Sequence, residues 1–198
     1  RKREAVAARA LEFTILTAAR LGEVTGATWR EVDLQTWLWT IPATRMKAEK
    51  EHEIPLSSRT VAILKEMQVL NTKSKMDAPL FPTSAGSQLS GMAMPMLLRR
   101  MHESAMKAGD VGWVDRKQKG RMITVHGFRS TFRDWAGEQS AFPREVIEHA
   151  MAHQLPNKAE AAYSRATLLP KRAKLMEAWA GYATAPIAAG KVTPIRKT

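Results

Sequence analysis

The sequence predicts an α+β fold that is mostly helical, with one small antiparallel sheet near the N-terminal side. Apolar residues recur at helical spacing in several separated stretches, while a period-two alternation at Trp37–Ile41 with a partner segment at Glu53–Leu56 places a small sheet at 36–56. Clusters of Pro, Gly and Ser separate these stretches, and no internal repeat is visible.

Val6, Ala10, Phe13 and Thr17, with Leu11, Ile15 and Ala18, place a buried amphipathic helix over residues 4–20. Gly22 is positioned to supply the left-handed turn that ends it. Glu23 to Trp29 reads as a second, short helical piece. Trp37, Trp39 and Ile41 alternate with Leu38 and Thr40 as a strand, and Glu53 to Leu56 is its partner across a polar turn at 44–52. Ser57 or Ser58 caps a helix bearing Val61, Leu64, Met67 and Leu70.

Residues 71–90 form a loop, and Ser90 begins a helix carrying Met94, Leu97, Leu98, Met101 and Ala105. The basic stretch 109–122 is expected to be an exposed loop or hairpin near phosphate. Thr124 caps a helix with Phe128, Phe132 and Trp135, and Pro143 opens the first turn of the next, with Val146, Ile147, Ala150 and Met151. A short helix is expected around Tyr163, and a last one from Pro170 with Leu175, Met176 and Trp179. After Tyr182 the composition turns to Ala, Pro, Gly and Lys, the pattern of a mobile tail.

The 198 residues suit one domain, or one domain plus tails. Lys and Arg number 31 against 19 Asp and Glu, a formal net charge of +12, and a field of that sign gathers polyanions such as duplex DNA. The absence of cysteine excludes disulfides, thiolate metal sites and a cysteine nucleophile, and fits a reducing compartment. No apolar run approaches a membrane span and no secretory leader opens the chain. The chain starts at Arg1, inside what reads as mid-protein helix, so it is expected to be a segment of a longer protein.

His126 and Arg129, at i and i+3, share a helix face, with Phe128 and Phe132 anchoring the opposite side. Such a pair suits a phosphate that gains negative charge in a transition state, although a solvated basic face has the same pattern. Arg20 ends an apolar helix, and Glu23 can orient it through a bidentate pair or simply balance its charge. His149 and His153 have metal-ligand spacing, but no third ligand cluster accompanies them and the chain has no Cys. Of the two tyrosines, Tyr163 lies among small residues that leave its hydroxyl accessible. A phenol is a poor nucleophile unless nearby cations stabilise its developing charge.

These residues in this order resemble the catalytic signature of the tyrosine recombinases, the phage-integrase family. The matching text runs from Thr17 to Val24, Val125 to Ala136, Ile147 to His153 and Ala161 to Arg165. Residues Arg172 to Trp179 further resemble integrases of satellite phages, prophages and genomic islands. The resemblance implies that residues 1–182 form a catalytic domain, followed by a basic tail at 183–198, with the N-terminal core-binding domain of the family absent from this chain.

It implies that Tyr163 attacks a scissile phosphate to form a 3′-phosphotyrosyl bond, that Arg20 and Arg129 clamp the non-bridging oxygens, and that His126 and His153 add hydrogen bonds. His126 is also placed to assist Tyr163 deprotonation. Glu23 supports Arg20, and Lys47 protonates the leaving 5′ oxygen from the sheet turn, with Lys50 in the same loop.

The implied function is integration or excision of a mobile element by a site-specific recombinase that needs no metal and no other cofactor. Its implied partners are double-stranded DNA at attachment sites, a synaptic tetramer of its own kind and DNA-bending accessory proteins, with no membrane partner. The implied compartment is the bacterial cytoplasm, at the nucleoid. A topoisomerase using the same phosphotyrosine chemistry, a non-catalytic DNA-binding relative and a basic RNA-associated protein are the competing readings.

Overall fold

The computed structural model describes residues 2–46, 48–71, 75–115, 118–153 and 167–186, with side chains from residue 5 onward. Its elements are mostly helices with a small antiparallel sheet near the N-terminal side, as the periodicities predict. Helix α1 (Lys2–Thr17) buries Ala10, Phe13 and Leu16, and α2 (Leu21–Thr25) follows after a sharp break. The break is not made by Gly22, which lies inside α2. Ala18 takes the left-handed conformation instead, with φ 50°, and Arg20 is the extended residue ahead of α2. An alanine costs more there than a glycine, and contacts that fix the Ala18 carbonyl accompany the strained turn.

A 3₁₀ turn at Trp29–Glu31 replaces the end of the expected second helix and leads into β1 (Val32–Asp33). The sheet has three strands, β1 pairing with β2 (Leu38–Ile41) and β2 with β3 (His52–Pro55), all antiparallel. The sequence shows only the last two, because a two-residue strand carries no alternation to read. Trp39 and Ile41 are fully buried, but Trp37 is 42% exposed at φ 57°, outside the strand. Asp33 explains the shift: its Oδ1 accepts from the backbone of Gln35 at 2.7 Å and Thr36 at 3.2 Å, closing a tight turn that ends at Trp37.

Ser57 caps α3 (Ser58–Gln68) by accepting from the backbone of Thr60. Leu70 falls beyond this helix and is exposed. Helix α4 (Ala93–Lys107) starts three residues after Ser90, buries Met94, Leu97 and Leu98, and leaves Met101 partly exposed. The basic stretch is a hairpin of β4 (Val114–Asp115) and β5 (Arg121–Met122). Thr124 caps α5 (Val125–Gln139), accepting from Gly127 N at 3.0 Å. Pro143 is the cap residue ahead of α6 (Arg144–Ala150) rather than part of its first turn. Helix α7 (Leu169–Thr184) is the last described element and carries Tyr182 as well as two residues expected in the tail.

Two apolar clusters organise these elements. One packs α1, α3 and α4 around the sheet, and the other packs Phe132 and Trp135 of α5 with Val146 and Ile147 of α6 and Leu175 and Trp179 of α7. Ile15 packs against both clusters, and its carbonyl accepts from Trp179 Nε1 at 2.8 Å. The break after α1 is therefore pinned where the two clusters meet, which is also where the candidate site lies.

Candidate active site

Glu23 controls the start of α2. Its Oε2 accepts from the Arg20 backbone N at 2.7 Å, and its Oε1 accepts from Arg20 Nη1 at 2.7 Å. The carboxylate is buried while the Arg20 side chain is 35% exposed, so the acid is a fixed base for a guanidinium with an open face. Such charge-assisted contacts restrict the arginine's rotamers before any ligand arrives.

Arg129 comes from the second turn of α5 and is buried. It donates from Nη1 to the Ala18 carbonyl and from Nη2 to the Met151 carbonyl, linking the break after α1 to the end of α6. A guanidinium has five N–H donors, so these bonds leave donors for an anion. Burial and the like charge of Arg20 push Arg129 down to about 10, partly offset by Glu23 and Glu148. It stays charged at neutral pH, in the low-dielectric setting where a charge acts most strongly.

Arg20, His126 and Arg129 line one cavity of about 330 Å³, together with Arg99 of α4 and apolar walls from Leu98 and Ile123. His126 itself is exposed, one residue into α5 and close to its N-terminus. Arg129 does not face away from the aromatic anchor, as a simple two-faced helix would have it. It is buried alongside Phe132, and its polar end is satisfied by the two carbonyls.

His153 does not line that cavity. Helix α6 ends at Ala150, and Ala152 at φ 48° turns the chain so that His153 N reaches the Glu148 carbonyl at 3.0 Å. His153 therefore lies beyond the helix that carries His149, and the two do not make a helical i, i+4 pair. Its Nδ1 contacts Glu148 Oε2 at 2.6 Å, which leaves Nε2 for a ligand. Burial alone would raise the Glu148 carboxyl, but hydrogen bonds from His153 and Arg133 outweigh it and hold the group below its ordinary value. Among the described residues no group of three or more His, Asp or Glu side chains could hold a metal ion. Nor is any described helix long and apolar enough to cross a membrane.

Lys47 and Tyr163 lie outside the described residues, as does the helix expected around Tyr163. Their flanks are placed. Met46 is buried with its N bonded to the Ala43 carbonyl at 3.0 Å, and Thr167 leads into α7.

Sequence reasoning passed over Glu148, Arg133, Arg99, Arg45 and His52. His52 was the most legible of these, since in β3 it alternates with Ile54 and pairs with Ile41, which puts it on the buried face. Burial first, then the charge of Arg172, pushes it down to about 4, although Glu23 and a hydrogen bond to the Ala150 backbone act the other way. It is a neutral side chain packed among cations. The others are surface-type charges in helices and turns, and nothing in their spacing distinguishes them from solvated residues.

The sequence model of the phage integrase family matches residues 1–168. The chain is 32% identical over 168 residues to prophage integrase IntA of Escherichia coli (strain K12), covering 85% of this chain and 36% of that protein. It is 28% identical over 186 residues to the integrase of Enterobacteria phage P4, covering 87% and 39%. It thus spans well under half the length of these curated relatives. Among solved structures, the Tn1549 transposon integrase in complex with transposon right end DNA shares the fold with a TM-score of 0.58 at 16% identity, over 84% of this chain and 57% of that one. A lambda integrase dimer bound to a core site gives 0.51 at 16% identity, over 82% and 53%.

Proposed function

Because the chain belongs to the phage integrase family, we propose that it carries the catalytic machinery of a site-specific DNA recombinase that integrates or excises a mobile element. Tyr163 is the nucleophile. Its oxygen bonds to the scissile phosphorus, the bond to the 5′ oxygen breaks, and a 3′-phosphotyrosyl intermediate conserves the phosphodiester for rejoining. Arg20 and Arg129 hold the non-bridging oxygens, His126 and His153 add hydrogen bonds, and Lys47 gives the leaving 5′ oxygen its proton. Phosphoryl transfer of this kind needs charge neutralisation and in-line positioning, which these cations supply without a metal ion or nucleotide.

One observation carries the reading. Arg20 and Arg129, from distant parts of the sequence, converge with His126 on a single cavity, each held rigidly by buried acceptors. The net charge of +12 supports duplex DNA as the substrate. The relatives named above include an integrase in complex with DNA and a DNA-bound dimer, which supports attachment-site DNA and self-association on it, extended here to a synaptic tetramer assisted by DNA-bending proteins. The bacterial cytoplasm is the matching compartment.

The test is a nicked duplex in which cleavage releases a short fragment, so that religation fails. Candidate attachment sequences are incubated with the protein in EDTA, and covalent protein–DNA complex is resolved on a denaturing gel. A complex lost in Tyr163→Phe is the expected result. DNA binding without any covalent complex across all sequences would leave a DNA-binding module in place of an enzyme.

A further inference from the structure

Arg45 sits in the 3₁₀ turn Ala43–Arg45, two residues before Lys47. Its guanidinium reaches out of the sheet turn to α2. Nη2 donates to the backbone carbonyl of Glu23, the residue whose carboxylate holds Arg20, and Nη1 donates to Glu31 Oε1. The other Glu31 oxygen accepts from Trp39 Nε1 in β2 at 3.0 Å. The Arg45 side chain is 23% exposed and that of Glu31 only 9%, so this is an anchored pair rather than a solvated one.

Gly26 makes room for the contact. A Cβ there would stand 3.0 Å from Arg45 Nη2 and 3.3 Å from its Cζ. With φ −88°, Gly26 has a backbone that any residue adopts, so the glycine serves the close approach and not the turn. Met46 N bonds the Ala43 carbonyl and Glu49 N bonds the Met46 carbonyl, both at 3.0 Å.

We infer that Arg45 is a positioning residue for protonation of the leaving group. It ties the chain just ahead of Lys47, at Arg45 and Met46, to the helical turn that holds Arg20, so that the segment leading to the proton donor and the phosphate clamp are braced on the same residues. This rests on the proposed recombinase chemistry, with Lys47 as the acid. In that step the Tyr163 phenol passes its proton to His126 as its oxygen bonds to phosphorus, the bond from phosphorus to the 5′ oxygen breaks, and the Lys47 ammonium passes its proton to the departing oxygen. Displacing the turn weakens the proton transfer and leaves the clamp on the phosphate in place.

Replacing the leaving oxygen by sulfur separates the two effects, because a thiolate departs without a proton. Once the cleavage position is mapped, matched nicked duplexes with a 5′-bridging oxygen or a 5′-bridging sulfur are given to wild type, Arg45→Met, Gly26→Ala and Lys47→Met, and the rate of covalent-complex formation is measured. Arg45→Met and Gly26→Ala should slow the oxygen substrate by about 10–100-fold, while on the sulfur substrate both should approach wild type, as should Lys47→Met. A partly misfolded variant slows both substrates alike, so the ratio of the two rates stays interpretable.

Equal slowing on both substrates would make Arg45 merely structural and overturn the inference, as would no slowing on either. Failure of sulfur to rescue Lys47→Met would remove the acid assignment and the inference with it. Absence of covalent complex with wild type on any sequence overturns the recombinase reading itself, a result distinct from the others.

Discussion

Glu23 grips Arg20 at both ends, its Oε1 on the guanidinium and its Oε2 on the backbone N, each at 2.7 Å. The same carboxylate thus caps α2 and aims the cation that the helix presents to the cavity. Glu23→Gln keeps the shape and removes the charge, so Arg20 loses a charge-assisted partner and gains freedom. Covalent-complex formation should fall by about 10-fold with DNA affinity little changed, since positioning and not attraction is lost. Glu23→Ala should in addition lower stability by about 1–3 kcal/mol, read from urea denaturation, because the cap and its buried hydrogen bonds go together.

How much of this was legible beforehand depends on what each feature needs. The helices and the β2–β3 hairpin follow from apolar periodicity, and Thr124 and Ser57 mark helix starts through side-chain chemistry that a sequence displays directly. Arg20, Glu23, His126 and Arg129 are named by their order along the chain and by the motifs around them. What stayed hidden is long-range pairing. Nothing in the sequence shows that Ala18, not Gly22, takes the left-handed turn, because the Ala18 carbonyl is claimed by an arginine from α5. For the same reason Glu148 could not be read as the partner of His153, since it depends on a chain reversal at Ala152.

His52 gives the fold a pH dependence of definite sign. Its folded value, about 4, lies below the 6.5 of an unfolded imidazole, so the unfolded chain binds the extra proton between these limits. Stability contributed by neutral His52 is complete above about pH 6.5 and is lost as pH falls toward 4, by about 3 kcal/mol in all. His52→Gln should flatten that part of a denaturation-versus-pH curve. A curve that keeps its slope through this window in the variant would assign the titration to other groups.

Glu148 joins His153 to Arg133, with Arg133 Nη2 at 3.1 Å from the same carboxylate. Glu148→Gln leaves His153 with a neutral partner that can present either an oxygen or an NH₂ to Nδ1. The ring is then no longer fixed in one tautomer, and the Nε2 proposed to reach the phosphate is in its working form only part of the time. Covalent-complex formation should drop by about 10-fold, with the steepest part of its pH profile displaced from that of wild type. An unchanged profile would confine Glu148 to holding Arg133 and the end of α6.

Arg129 and Arg172 are both buried and both pushed down to about 10 by burial, yet their loss should read differently. Arg129 serves the carbonyls of Ala18 and Met151, whose residues are 2% and 3% exposed, so Arg129→Met strands two acceptors away from water. That should cost about 2–5 kcal/mol and abolish cleavage. Arg172 donates to Glu53 O and, at 3.2 Å, to Thr167 O, and Thr167 is an exposed residue that water can serve. Its Nε has no hydrogen-bond partner among the described residues. Arg172→Met removes a desolvated charge and, among the described residues, strands at most the Glu53 carbonyl, so it should fall within about 1 kcal/mol of wild type. Urea denaturation of the two variants at equal m value makes the comparison. Equal losses would mean that the charge, and not the fate of the carbonyls, dominates at both positions.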